Sequence, residues 1–119
     1  SGVVYVSVSQ TGSLQSTMTL ISDTFTANST PSKARIVVFA ELPDGTSDFA
    51  VSATRDNTTF NAITLTDEGY ETGSSGIKVF TGSTPLTGTA SPQVRMRWKI
   101  VGSSLTGLNK IHGVSLQWS

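Results

Sequence analysis

His112 is the only histidine of this chain, so it decides whether a nucleophilic enzyme can be built from the sequence. A Ser–His–Asp triad needs that imidazole exposed beside a serine hydroxyl and a carboxylate. The alternation of residues 111–118 instead places His112 in phase with Val114, Leu116 and Trp118. The sequence also contains no G-x-S-x-G nucleophile turn. We therefore expect His112 to be a hydrogen-bonded structural residue on the core side of a strand.

A pair of carboxylates is the second arrangement that could support catalysis, as the acid and base of a glycosidase. The two carboxyl groups would have to lie about 5–10 Å apart across a cleft. Asp67 and Glu68 are adjacent in the sequence, and neighbours at a strand end point to opposite faces. The sequence therefore predicts that the protein is not an enzyme and has no catalytic residue and no cofactor.

Metal ligands are scarce, because the chain has no cysteine and one histidine, which argues against zinc. Calcium would have to use turn oxygens, from Asp44 and Asp48 or from Asp56 and Asn57. Asp and Asn in turns usually bind their own backbone instead. We expect that turn role, and the sequence predicts no metal site.

Three cations, Arg95, Arg97 and Lys99, alternate along one predicted strand. One interpretation is an anion-binding face for an acidic glycan or a phosphate. The other is a solvated strand face that pairs with acids on a neighbouring strand, such as Glu41 or Glu71. We favour the solvated face, because three cations are a small footprint, and retain the three residues as binding candidates.

Aromatic side chains could stack on sugar rings. Trp98 and Trp118 are in phase with apolar neighbours, which favours a place in the core. Tyr70 follows Gly69 and precedes a Gly/Ser loop, so it is the best candidate for an exposed aromatic ring. Tyr70 therefore joins the basic residues as a binding candidate.

These residues would be positioned by β-strands, because no segment shows a helical period over three turns. Eight segments read as strands: Val3–Ser9, Thr17–Thr26, Ala34–Leu42, Phe49–Thr54, Ala62–Thr66, Ile77–Thr81, Val94–Val101 and Ile111–Trp118. Short strands between turn signals predict an all-β fold, an antiparallel β-sandwich. About eight strands fit a jelly roll best, although an immunoglobulin-like order shares the same pattern. Residues 1–119 are predicted to form a single domain.

One predicted strand, Ala34–Leu42, is apolar on both faces, because Val37 and Phe39 oppose Ile36 and Val38. A strand of this kind is central in its sheet or carries an interface on its second face.

The charge and the hydropathy of the chain argue against two classes of partner, nucleic acids and membranes. The net charge is zero, and 13% of residues are charged, against about 25% in typical domains. A nucleic-acid ligand would require a basic footprint, so none is expected. No apolar run approaches the roughly 18 residues of a membrane span, so no membrane insertion is expected.

Several motifs in residues 50–118 resemble those of a β-sandwich domain found in virion proteins of tailed bacteriophages. The motifs are Arg55-Asp56 before a turn, the aromatic Phe60, Asp67-Glu68-Gly69, Met96-Arg97-Trp98-Lys99, and His112-Gly113-Val114. The aromatic of that family is often Trp, and here it is Phe60.

The resemblance implies a non-enzymatic component of the virion, which is an extracellular particle. It implies the C-terminal part of a longer tail-fibre or tail-tip protein that forms a homotrimer, contacts other virion proteins and attaches to a glycan or protein of the host surface. Two alternatives are a secreted carbohydrate-binding module and a capsid decoration or head-fibre protein without receptor binding.

Overall fold

Strands account for all the regular secondary structure in a computed structural model, which describes residues 2–6, 10–11, 17–27, 29–43, 45–73, 76–89, 94–103 and 109–119. Within these residues there are eleven strands: β1 (Gly2–Val6), β2 (Gln10–Thr11), β3 (Thr17–Ile21), β4 (Phe25–Ala27), β5 (Lys33–Glu41), β6 (Phe49–Thr54), β7 (Asn61–Ile63), β8 (Thr66–Tyr70), β9 (Lys78–Pro85), β10 (Val94–Ser103) and β11 (Lys110–Trp118). No helix long and apolar enough to cross a membrane occurs in this part of the chain.

The strands form two antiparallel sheets. The first has the order β1-β11-β5-β9-β8, with the short β2 also paired to β11. The second has the order β3-β10-β6-β7, with β4 also paired to β10. The predicted all-β, antiparallel β-sandwich is therefore confirmed.

Strand pairing is nested, which identifies the topology as a jelly roll. The first long strand pairs with the last, β1 with β11, and the next pairs inward are β3 with β10, β5 with β9 and β6 with β7. A long antiparallel hairpin folded across two sheets gives this order. The sequence pattern alone left an immunoglobulin-like order open.

Two predicted strands are each divided in the structure. The segment Thr17–Thr26 becomes β3 and β4, because Ser22 interrupts its pairing with β10: the Ser22 N–H donates to the Trp98 carbonyl, and the Ser22 hydroxyl accepts the Trp98 N–H, both at 3.0 Å. The segment Ala62–Thr66 is divided between the two sheets, as the end of β7 and the start of β8.

The core lies between the inner faces of the sheets. Strand β10 contributes Met96, Trp98 and Ile100, and each is at most 1% exposed. Trp98 is therefore a core residue as predicted, and Trp118 is partly buried against the same cluster. Strand β5 is central in its sheet, which is one of the two arrangements that its two-sided apolarity predicts, and Val37 and Phe39 lie half-buried on its outer side.

The prediction that His112 faces the core is wrong. A β-bulge lies between Ile111 and Gly113, where Ile111 pairs with Ala40 and Gly113 pairs with the next residue, Phe39. The extra residue in the bulge reverses the alternation, so Ile111 is buried in line with Val114 and Leu116. The His112 side chain is 31% exposed.

Candidate functional site

A shallow groove lies at the end of the first sheet where β5 and β8 end and β9 begins. Its volume is about 340 Å³, and its lining residues are Glu41, Leu42, Pro43, Tyr70, Gly76 and Lys78. We call it the Tyr70 groove. It contains one of the sequence-predicted binding candidates, Tyr70, and brings that residue to the end of β5, which is distant in the chain.

Tyr70 is directed outward by an irregularity in β8. The register with β9 shifts between Asp67 and Tyr70, and Gly69 has a φ of +93°, in the left-handed region that favours glycine. The Asp67 carboxylate accepts the Gly69 N–H at 2.8 Å and fixes this bulge. The Tyr70 side chain ends up 65% exposed, as the sequence predicts.

Lys78 lies beside the tyrosine on the neighbouring strand. Its Nζ is 5.1 Å from the centre of the Tyr70 ring and 2.9 Å from Asp67 Oδ2. The hydrogen bond from Lys78, followed by the one from the Gly69 N–H, lowers the pKa of Asp67, and the same ion pair raises the pKa of Lys78. The ammonium group is thus held between a carboxylate and the face of an aromatic ring.

Glu41 supplies a carboxylate to the groove, and β11 orients it. Its Oε2 lies 3.0 Å from His112 Nε2 and 3.9 Å from Lys110 Nζ. Gly76 leaves room for the other oxygen, because a Cβ at that position would come within 2.7 Å of Glu41 Oε1. His112 is hydrogen-bonded, as expected, but its partner lies at the groove and not in the core.

The basic residues Arg95, Arg97 and Lys99 lie elsewhere. They are on β10 in the second sheet, whereas every lining residue with a strand position belongs to the first. The structure therefore does not bring them together with Tyr70.

The expected pairing of this stripe with Glu41 or Glu71 is wrong, because β10 has no neighbour in the sheet that carries either acid. Arg97 instead donates to the Thr24 hydroxyl at 2.8 Å, and Lys99 Nζ lies 5.2 Å from the centre of the Phe60 ring. Arg95 is exposed, and its backbone N–H donates to the Arg55 carbonyl.

In the Arg55-Asp56 motif, the Asp56 side chain stabilises the turn that follows it. Asp56 Oδ1 accepts the N–H groups of Thr58 and Thr59 at 2.9 and 2.6 Å, which is the turn role expected of it. Burial by itself raises the pKa of Asp56, but the hydrogen bonds from Thr59, Thr58 and Thr54 outweigh it and hold that pKa well below its usual range.

The other two residues considered as calcium ligands, Asp44 and Asp48, do not form a described metal site. Asp44 lies outside the described residues, and Asp48 accepts the Ser103 N–H with its backbone carbonyl. In the described part of the chain, no three His, Asp or Glu side chains come together as metal ligands would.

Sequence reasoning missed Glu41, Lys78 and His112 as partners of Tyr70. Only the strand register reveals them: Tyr70 pairs with Lys78 across β8 and β9, and Glu41 pairs with Lys110 across β5 and β11. The groove therefore offers an exposed aromatic ring, a held ammonium group and an oriented carboxylate.

No protein-family model, no curated protein sequence and no solved structure matches the chain.

Proposed function

We propose that this chain is a non-enzymatic recognition domain of a tailed-bacteriophage virion, located in a tail fibre or tail tip, which assembles as a homotrimer and attaches to the host surface. The nested strand pairing is the observation that carries the proposal. Jelly rolls of this kind build viral capsid proteins and lectin domains. The motifs of residues 50–118 that resemble phage virion domains support the same assignment.

Recognition takes place at the Tyr70 groove. The groove lies at the end of the first sheet where β5 and β8 end and β9 begins, and rigid sheets usually present binding groups at such ends. The exposed Tyr70 ring is the group most suited to contact a partner, because aromatic residues provide much contact area for little loss of conformational entropy.

Trimer formation uses the outer face of the first sheet. Phe39 pairs across the sheet with Val79, and Val37 lies two residues along β5 on the same face. A solvated outer face would carry polar residues at these positions. A second copy of the chain is the occupant that would cover these apolar groups, in keeping with the closed symmetry of most oligomers.

The native mass in solution tests the proposal, measured by light scattering after size-exclusion chromatography. We expect three times the chain mass of 12.5 kDa. The trimer should also bind intact host cells, and cells of a phage-resistant mutant that lacks the receptor provide the matched control. A monomer that binds no cells would contradict the proposal.

The second candidate function is a secreted carbohydrate-binding module. The observation that favours it is the 65% exposure of Tyr70 beside polar groups, an arrangement that does not require a trimer. A stable monomer that binds soluble glycans would place this candidate first.

A further inference from the structure

The Tyr70 groove presents an aromatic ring, an ammonium group and a carboxylate, and contacts within the protein hold the two charged groups in place. Tyr70 is 65% exposed, and Lys78 Nζ lies over one face of its ring at 5.1 Å from the centre. The C–H face of a pyranose is apolar and flat, and an exposed aromatic ring is the surface on which it packs.

Glu41 is suited to accept hydrogen bonds from neighbouring hydroxyl groups. Its side chain is 34% exposed, and its carboxylate is oriented by His112 at 3.0 Å, with Lys110 at 3.9 Å. A carboxylate has two oxygens and about four acceptor positions, so it can bind two hydroxyls of one sugar while it keeps its contact with His112. Because the group is already oriented, binding costs little ordering of the side chain.

The charged lining residues are one carboxylate, Glu41, and one ammonium group, Lys78, so the lining has no net charge. Each is in an ion pair, Glu41 with Lys110 and Lys78 with Asp67. An acidic sugar would gain no net attraction from this set, and its carboxylate would lie near that of Glu41. A neutral ligand meets no such repulsion and can use both the acceptors and the donors.

We infer that the Tyr70 groove binds a neutral saccharide, with one sugar ring packed on Tyr70 and adjacent hydroxyls donated to Glu41. The volume of about 340 Å³ is at the lower end of the roughly 300–1,000 Å³ found for small-molecule sites, which suits one or two sugar rings. The inference rests on the proposed recognition function and specifies the chemistry of its ligand.

Nuclear magnetic resonance titration of the ¹⁵N-labelled chain tests the inference. The probes are the methyl glycosides of galactose, glucose, mannose and N-acetylglucosamine, with methyl glucuronide as the acidic counterpart. A neutral glycoside is expected to shift the amide signals of Tyr70, Lys78 and Glu41, with a Kd on the order of 1 mM for a single ring.

Substitutions at Tyr70 and Glu41 then measure how much each side chain contributes to binding of the glycoside. Tyr70→Ala is expected to weaken binding at least about tenfold, whereas Tyr70→Phe keeps it, because the ring and not the hydroxyl makes the contact. Glu41→Gln is expected to weaken binding without moving the site. Ile21→Ala is the matched control, because Ile21 is the other exposed large apolar side chain among the described residues and lies on the second sheet.

Signal shifts of the unmodified chain locate the site even where a variant fails to fold. Preference for the glucuronide at the groove, or shifts confined to another surface, would overturn the inference. If no glycoside binds while the trimer still attaches to host cells, the sugar ligand is wrong and the recognition function stands. An unmodified chain that neither forms a trimer nor attaches to host cells would overturn the proposed function itself.

Discussion

Asp56 shows how one side chain organises an end of the sandwich. Its Oδ1 accepts from the Thr54 hydroxyl and from the backbone of Thr58 and Thr59, and its Oδ2 accepts the Thr89 N–H at 3.2 Å. Gly88 allows this approach, because it has a φ of +110° and a Cβ there would collide with the carboxylate. The adjoining Arg55 donates to the carbonyls of Pro31 and Gly88, both at 2.8 Å.

Because of the hydrogen bonds to Asp56, the free energy of unfolding should depend on pH. A carboxyl whose pKa is lowered on folding contributes stability above its unfolded pKa, near 3.8, and that contribution is lost as pH falls through the folded pKa. We expect Asp56→Asn to lower the free energy of unfolding by about 1–2 kcal/mol at neutral pH. The difference from the unmodified chain should shrink progressively below the unfolded pKa.

Urea unfolding from neutral pH into strong acid measures the free energy of unfolding of Asp56→Asn and of the unmodified chain. Asp23→Asn is the control, because Asp23 is exposed. A difference between Asp56→Asn and the unmodified chain that stays constant from neutral pH into strong acid would show that the charge of Asp56 contributes no stability.

At the scale of elements, single extra residues in strands determine which side chains reach the groove. The bulge at His112 turns its ring toward Glu41, and the irregularity at Gly69 turns Tyr70 outward. Both lie in strands of the first sheet and toward the same end of it. Bulges occur often next to functional sites because they redirect a side chain while the rest of the ladder is kept.

Deletion of His112 tests the bulge in β11. Because Ile111 and Gly113 already pair with consecutive residues of β5, removal of His112 should leave a continuous ladder and cost no more than about 2 kcal/mol. Deletion of Ser115, where the ladder is regular, should shift the buried Leu116 to the other face and cost about 2–5 kcal/mol. Thermal unfolding followed by circular dichroism compares the two variants. Equal losses of stability in the two variants would mean that the bulge in β11 tolerates a deletion no better than the regular part of the strand does.

For the whole molecule, the jelly roll leaves two outer faces with different chemistry. The first sheet carries half-buried apolar residues in its centre, at Val37, Phe39 and Val79. The second carries Arg95, Arg97 and Lys99 on β10, with the exposed Ile21 beside Lys99 on β3. On β5 the apolar pair Val37 and Phe39 lies between the charged Arg35 and Glu41 on the same face, so the centre of the first face is the part suited to contact a second copy.

If the chain forms the proposed trimer through this face, the double substitution Val37→Ser with Phe39→Ser should leave a monomer. Both side chains point away from the sandwich core, so the far-ultraviolet circular dichroism should remain that of a β-sheet protein. Light scattering after size-exclusion chromatography gives the mass, and Ile21→Ser on the other sheet should remain trimeric. A double variant that keeps the trimer mass would locate the interface elsewhere.

The sequence by itself determined the fold class and most strand positions, because the alternation of apolar residues is a local property of each strand. It placed Trp98 in the core and Tyr70 in solvent, and the structure agrees. For Ala34–Leu42 it allowed a central strand or an interface on the second face, and β5 is central in its sheet. Asp56 likewise has the turn role that its residue type favours.

Only the tertiary structure decided which residues meet. Glu41 and His112 are 71 residues apart, and they come together because β5 and β11 pair in one register with one bulge. The same pairing sends Arg95, Arg97 and Lys99 to a different sheet from Tyr70. Strand order and register depend on contacts between distant segments, and a single extra residue reverses the face of a side chain, so a local pattern could not supply them.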